Sequence, residues 1–283
     1  MYENSREELH HTNGEADLRG CFMKLGFVSL LLLSTSLPGQ QAAPATAPIV
    51  AQELTVPIST LTPQQIASMQ KKLADWPDLA HYRDENAKLG DPAPGEKRVV
   101  FMGDSITEIW GKGRGTFFPG KPYVNRGISG QTTPQMLARF QQDVLRLKPT
   151  VVVIAGGVND IAGNTGPEPL ETITDNYRSM VTLAKASHIR VVLTAPIPAS
   201  WFPWRPGAHP GEAVRQLNAW IKEYARAEHV VYADYYSAMV DDQGGIRPDL
   251  AYDKAVHPND AGYAIMEPIA QRAIESALAL PQP

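Results

Sequence analysis

From about residue 97 the chain alternates short, largely apolar runs with longer segments whose apolar residues recur at helical spacing. The apolar runs are Arg98–Met102, Tyr123–Ile128, Val151–Ala155, Arg190–Thr194 and His229–Ala233. They are rich in valine and mostly continuous rather than alternating, which predicts strands buried on both faces. Between them, Thr133–Leu147 carries Met136, Leu137, Phe140, Val144 and Leu145 on one helical stripe. Leu170–Ser187 and Gly211–Glu228 follow the same pattern, and Pro258–Leu280 closes the chain with Ala261, Ile265, Ile269 and Ala273 in register. Strand and helix alternate five times, so the pattern predicts an α/β domain with a five-stranded parallel sheet and helices on both faces.

The first 95 residues read differently. Met23 and Lys24 precede an apolar run, Leu25–Leu33, and small residues follow in Ala43-Pro44-Ala45 and Ala45-Thr46-Ala47. A basic start, a short apolar stretch and an A-x-A-like zone predict a signal peptide over residues 23–45. The run is too short to span a bilayer. Residues 1–22 are polar and acidic, which is unusual ahead of such a segment, and they read as an extension upstream of a natural start at Met23. Cys21, the only cysteine, would then be missing from the mature chain, leaving no disulfide or thiolate site. Residues 46–95 form a linker and an N-terminal helical segment, and the α/β domain takes 96–283. Gln40–Val56 is a tether rich in Ala, Pro, Gln and Thr. Thr62 and Pro63 cap a first helix ending near Asp75, before Trp76-Pro77, and Leu79–Leu89 forms a second.

In open parallel sheets, ligands bind beyond the carboxyl ends of the strands. After the first strand comes Gly103-Asp104-Ser105, after the second Gly127-Ile128-Ser129-Gly130, and after the third Gly157-Val158-Asn159-Asp160. His257 stands just before the last helix. Taken singly, each reads as an ordinary turn or helix cap. Together they supply what acyl transfer needs: a hydroxyl nucleophile, an imidazole base, and backbone and carboxamide N–H groups for an oxyanion.

In these blocks the sequence resembles the SGNH (GDSL) hydrolases, over roughly Lys97–Leu280. The matching segments are Val100–Ser105, Asn125–Gly130, Gly157–Asp160 and Val256–Asn259. The resemblance implies a flavodoxin-like three-layer α/β/α fold and ester hydrolysis. It makes Ser105 the nucleophile and His257 the base, with the Ser105 N–H, the Gly130 N–H and the Asn159 side chain forming the oxyanion hole. One position departs from the family pattern. An aspartate is usual three residues before the histidine, where this chain has Lys254, and Asp253 lies one residue further off. A one-residue bulge would bring Asp253 to the ring, and Asp253 is the expected third member ahead of Asp249 and Asp260. A backbone carbonyl could orient the ring instead. Asp104 and Asp160 are read as holding the serine and asparagine loops.

No Gly-x-Ser-x-Gly elbow surrounds Ser105. Gly111-Lys112-Gly113-Arg114-Gly115 lacks Walker spacing and reads as a solvated loop. The scattered histidines predict no metal, and no cofactor is expected. A net charge of −4 gives no reason to expect nucleic acid or an anionic membrane as partner. Trp201, Phe202 and Trp204 follow the fourth strand and either line a substrate pocket or pack down their own loop. The expected activity is that of a secreted or periplasmic carboxylesterase with no membrane span in the mature chain. Its substrate would be a small-molecule or carbohydrate ester, such as an acetylated sugar. An acyltransferase using the same residues and a silent ligand-binding domain are the alternatives.

Overall fold

The computed structural model describes residues 61–283. Two helices, α1 (Pro63–Ala74) and α2 (Arg83–Leu89), precede the sheet. The strands are β1 (Val99–Gly103), β2 (Tyr123–Gly127), β3 (Val151–Ile154), β4 (Arg190–Thr194) and β5 (Val231–Ala233). They lie in the order β2-β1-β3-β4-β5, and every pairing is parallel. This is the flavodoxin-like order, with its switch point between β1 and β3. The connecting helices are α3 (Ser105–Ile109), α4 (Thr133–Asp143), α5 (Val158–Ile161), α6 (Leu170–Ala186), α7 (Gly211–Ala227), α8 (Tyr235–Met239) and α9 (Asp260–Ala279). Helices α4, α6 and α7 cover one face of the sheet, and α3 and α9 cover the other. Tyr263 of α9 donates to the Ile106 carbonyl of α3 at 2.8 Å and packs against Trp110.

The central strands are buried along their whole length, β1 and β3 without an exposed position. That is the burial their continuous valine runs predict. Element ends differ from the sequence pattern by a few residues for local reasons. Helix α4 stops at Asp143, and Leu145–Leu147 form a separate 3₁₀ turn. Lys148 ends that turn in the left-handed region, with φ 49°. Strand β5 begins at Val231 rather than His229, whose φ of 55° makes it part of the preceding turn. Helix α9 starts at Asp260, with the Asn259 side chain capping the Gly262 N–H at 3.0 Å.

Two glycines allow the first strand to turn into the site. A Cβ at Gly103 would lie 2.0 Å from Thr107 Oγ1, and one at Gly127 would lie 2.2 Å from the Glu108 backbone nitrogen. Only glycine lets α3 sit this close to the ends of β1 and β2, and this brings Ser105 to the sheet edge. The proposed signal peptide, linker and start site at residues 1–60 lie outside the described residues. Among those described, no helix is long and apolar enough to cross a membrane.

Candidate active site

Ser105 begins α3 immediately beyond β1, and Asp104 caps that helix by accepting the Ile106 N–H at 3.0 Å. Ser105 Oγ lies 3.0 Å from His257 Nε2, although 152 residues separate them in sequence. On the other side of the ring, His257 Nδ1 lies 2.6 Å from Asp253 Oδ2. An ionised Asp253 can only accept, so Nδ1 carries the proton and Nε2 is left to accept from the serine hydroxyl.

The one-residue departure at Lys254 is resolved locally. Lys254 takes a left-handed conformation, φ 57°, and so absorbs the extra residue as a bulge. The loop closes with the Tyr252 N–H donating to the His257 carbonyl at 3.0 Å. Asp253 Oδ1 accepts the N–H groups of Ala255, Val256 and His257 at 2.9, 3.0 and 3.1 Å. Burial raises the Asp253 pKa, but the hydrogen bonds from the His257 ring and these backbone N–H groups outweigh it and hold the carboxyl at about 2. Asp249 and Asp260 do other work. The Asp249 carbonyl accepts from the Asn259 side chain, and Asp260 Oδ1 accepts the Gly115 N–H.

The two other loops meet beside the serine. Asn159 is buried, its Oδ1 accepting from Asn164 Nδ2 at 2.9 Å and its Nδ2 donating to the Gln131 carbonyl at 2.9 Å. Its second amide N–H points to Asp104 Oδ2 at a longer 3.4 Å, the weaker of the two contacts and the one a ligand oxygen would have to replace. Asn164 Nδ2 also donates to the Gly130 carbonyl at 3.1 Å, tying the glycine loop to the asparagine loop. Asp160 accepts from the Thr133 N–H at 2.9 Å and from its hydroxyl at 2.5 Å, which anchors the asparagine loop to α4. Burial pushes Asp104 up to about 6, against the stabilising hydrogen bond from the Ile106 N–H. It pushes Asp160 up to about 7, against its hydrogen bonds from Thr133.

The aromatic loop divides. Phe202 is buried and stacks beneath Trp204 at 5.0 Å, so it offers no open surface and supports its neighbour instead. Trp204 is 40% exposed, lies 5.7 Å from the His257 ring and donates to Asn164 Oδ1 at 3.1 Å. Trp201 is 44% exposed. Tyr252 also packs on His257, stacked at 5.6 Å, with the Arg114 guanidinium 4.3 Å over its own ring. Tyr252 escaped the sequence reading, and its place next to Asp253 was the available signal. The Gly111–Gly115 loop is also more than a solvated turn. A Cβ on Gly115 would meet Tyr263 at 2.6 Å, and Lys112 reaches the Tyr82 hydroxyl at 3.2 Å.

Arg139 was missed as well. It is fully buried in α4 and donates to the Gly103 carbonyl (2.8 Å), the Arg126 carbonyl (2.8 Å), Gln131 Oε1 (2.5 Å) and Asp143 Oδ2 (3.1 Å). It thereby joins the ends of β1 and β2 to the glycine loop. An Arg–Asp pair four residues apart beside Met136 and Phe140 on the buried stripe was its signature. Arg139→Ala would leave the buried Asp143 without its ion-pair partner, with only the Asn86 amide still donating to it at 2.7 Å. The expected cost is about 3–5 kcal/mol of folding stability, read as a lowered midpoint in chemical denaturation.

A flavodoxin-like sheet thus carries a hydrogen-bonded serine, histidine and aspartate at its carboxyl edge, and the comparisons show a hydrolase acting on ester bonds. The chain belongs to the GDSL-like lipase/acylhydrolase family, whose model matches residues 101–265. It is 43% identical to a GDSL-like lipase from Bacteroides thetaiotaomicron, whose structure superposes with a TM-score of 0.69 over 72% of this chain and 100% of that one. It is 28% identical, over 61% of this chain and 90% of the relative, to an acetylxylan esterase from Geobacillus stearothermophilus. A crystal structure of an acetylxylan esterase from that organism superposes with a TM-score of 0.51, at 25% identity, over 64% of this chain and 94% of that one.

Proposed function

We propose that the protein is an exported carboxylesterase that removes small acyl groups, acetyl above all, from carbohydrate esters through an acyl-serine intermediate. The observation that carries the mechanism is the continuous relay Ser105–His257–Asp253, with contacts of 3.0 and 2.6 Å. His257 Nε2 takes the Ser105 proton as Oγ attacks the ester carbonyl. The Asp253 carboxylate, held ionised, stabilises the resulting imidazolium. The Ser105 and Gly130 N–H groups and the Asn159 amide donate to the oxyanion. His257 then protonates the leaving alcohol, and a water molecule, deprotonated by the same ring, releases the acyl group as its acid. Asp104 and Asp160 hold these loops and take no part in proton transfer.

Two observations support a carbohydrate alcohol. Trp204 and Tyr252 lie against His257, the group that must meet the leaving alcohol, and partly exposed aromatic rings beside polar groups suit a sugar ring. The acetylxylan esterase likeness points the same way. Export rests on the Met23–Ala45 segment. The test compares acetate release from acetylated xylo-oligosaccharides with hydrolysis of p-nitrophenyl acetate, butyrate and octanoate. Sugar acetates should give the highest kcat/KM and octanoate the lowest, and Trp204→Ala should narrow the sugar preference about tenfold. A preference for octanoate that Trp204→Ala leaves in place would remove the carbohydrate reading.

A further inference from the structure

Helix α3 carries two functional side chains one turn apart. Ser105 faces His257, and Glu108 faces the glycine loop. Glu108 Oε2 accepts both the Ser129 N–H at 2.7 Å and the Ser129 hydroxyl at 2.5 Å. Ser129 directly precedes Gly130, so this grip falls on the residue that orients the Gly130 N–H. Gly130 itself, at φ 78°, has no Cβ to restrict its peptide, and its orientation must be imposed from outside. A carboxylate taking two hydrogen bonds from one residue is a strong way to impose it.

The second Glu108 oxygen, Oε1, lies 3.4 Å from His81 Nε2, and His81 Nδ1 lies 3.0 Å from Asp78 Oδ2. Asp78 and His81 sit between α1 and α2, outside the family-matched region 101–265. Their neighbours reach the same loop. The Pro77 carbonyl accepts from Gln131 Nε2 at 2.7 Å, and the Tyr82 hydroxyl donates to the Gly127 carbonyl. The segment before the sheet therefore grips the loop at both ends, and through Glu108 in its middle.

We infer that Glu108 is a positioning residue for the Gly130 N–H, and that the Asp78–His81 pair, contributed by the N-terminal helical segment, holds Glu108 in place. This inference rests on the acyl-serine reading above. A donor displaced by about 1 Å from the developing oxyanion costs on the order of 10² in rate and little in ground-state binding.

The test measures kcat and KM for p-nitrophenyl acetate and the affinity for phenylboronic acid, which forms a tetrahedral adduct on an active serine. Glu108→Ala should lower kcat about 10²-fold with KM changed less than about threefold, and should weaken boronate binding in parallel. Glu108→Gln keeps an oxygen for the Ser129 N–H and should recover about tenfold of that loss. His81→Ala should cost about fivefold, and the double variant should be no slower than Glu108→Ala alone, because His81 acts through Glu108. A Glu108→Ala enzyme with near wild-type kcat, or one that is slow but binds boronate normally, overturns the role of Glu108. If Glu108→Ala folds poorly, the near-isosteric Gln variant decides on the same two readouts. Independent, multiplicative losses in the double variant overturn the His81 link. Activity surviving in Ser105→Ala would instead sink the acyl-serine reading itself, so the two failures are distinguishable.

Discussion

Replacing Ser105 with alanine should lower kcat for p-nitrophenyl acetate by about 10⁴-fold or more, leaving a residual rate from the oxyanion donors alone. The reason lies in the connectivity of the site. His257 Nε2 is 3.0 Å from Ser105 Oγ, and its opposite nitrogen is committed to Asp253. Removing the hydroxyl removes the covalent route and leaves a base that must act on water unaided. His257→Ala should cost about as much, and the double variant should be little worse than either alone, since the residues work as a unit. Steady-state rates, with mass spectrometry for an acyl adduct in the wild type only, check this. An adduct on Ser105→Ala, or a loss of less than about 10²-fold, would reject Ser105 as the nucleophile.

The second large effect belongs to Asp253. Asp253→Asn keeps the shape of the side chain but replaces an acceptor-only carboxylate with an amide. The ring can then turn its proton to Nε2, which deprives Ser105 of its base, and kcat should fall by about 10³–10⁴-fold. A variant with near wild-type turnover would remove Asp253 from the relay. The same carboxylate carries a stability signature. Its pKa is lowered in the fold from 3.8 to about 2, so its contribution to stability is complete above the ordinary carboxylate value. That contribution is lost as pH falls from about 4 to about 2, because there the unfolded chain binds the proton more readily than the folded one. Acid denaturation of Asp253→Asn should therefore show a shallower loss over that interval than wild type.

Glu108 shows a limit of motif reading. It stands three residues after Ser105, where a sequence offers only an acidic residue in the first turn of a short helix. Its partner Ser129 is 21 residues away, and nothing in the local pattern joins them. Arg139 is similar. Its spacing from Asp143 was visible, but its hydrogen bonds to the ends of β1 and β2 exist only once the sheet brings those carbonyls together. Phe202 and Trp204 look alike as sequence, yet one is core and the other borders the site.

The sequence by itself determined the layers of the fold and the positions of the reactive groups. Continuous valine runs can satisfy their burial only inside a parallel sheet covered on both faces, and the residues that follow such strands must emerge at its carboxyl edge. Ser105, Gly130 and Asn159 were legible for that reason, and His257 by its place just before the last helix in a block that matches the family. Tertiary structure decided which side chains meet. The left-handed turn at Lys254 moves Asp253 onto the His257 ring despite a register one residue off the family spacing. The segment before the sheet closes on the glycine loop through Pro77, His81 and Tyr82. Periodicity records which face of an element is buried. Contacts between side chains far apart in the chain depend on the path of the whole backbone, which no local pattern contains.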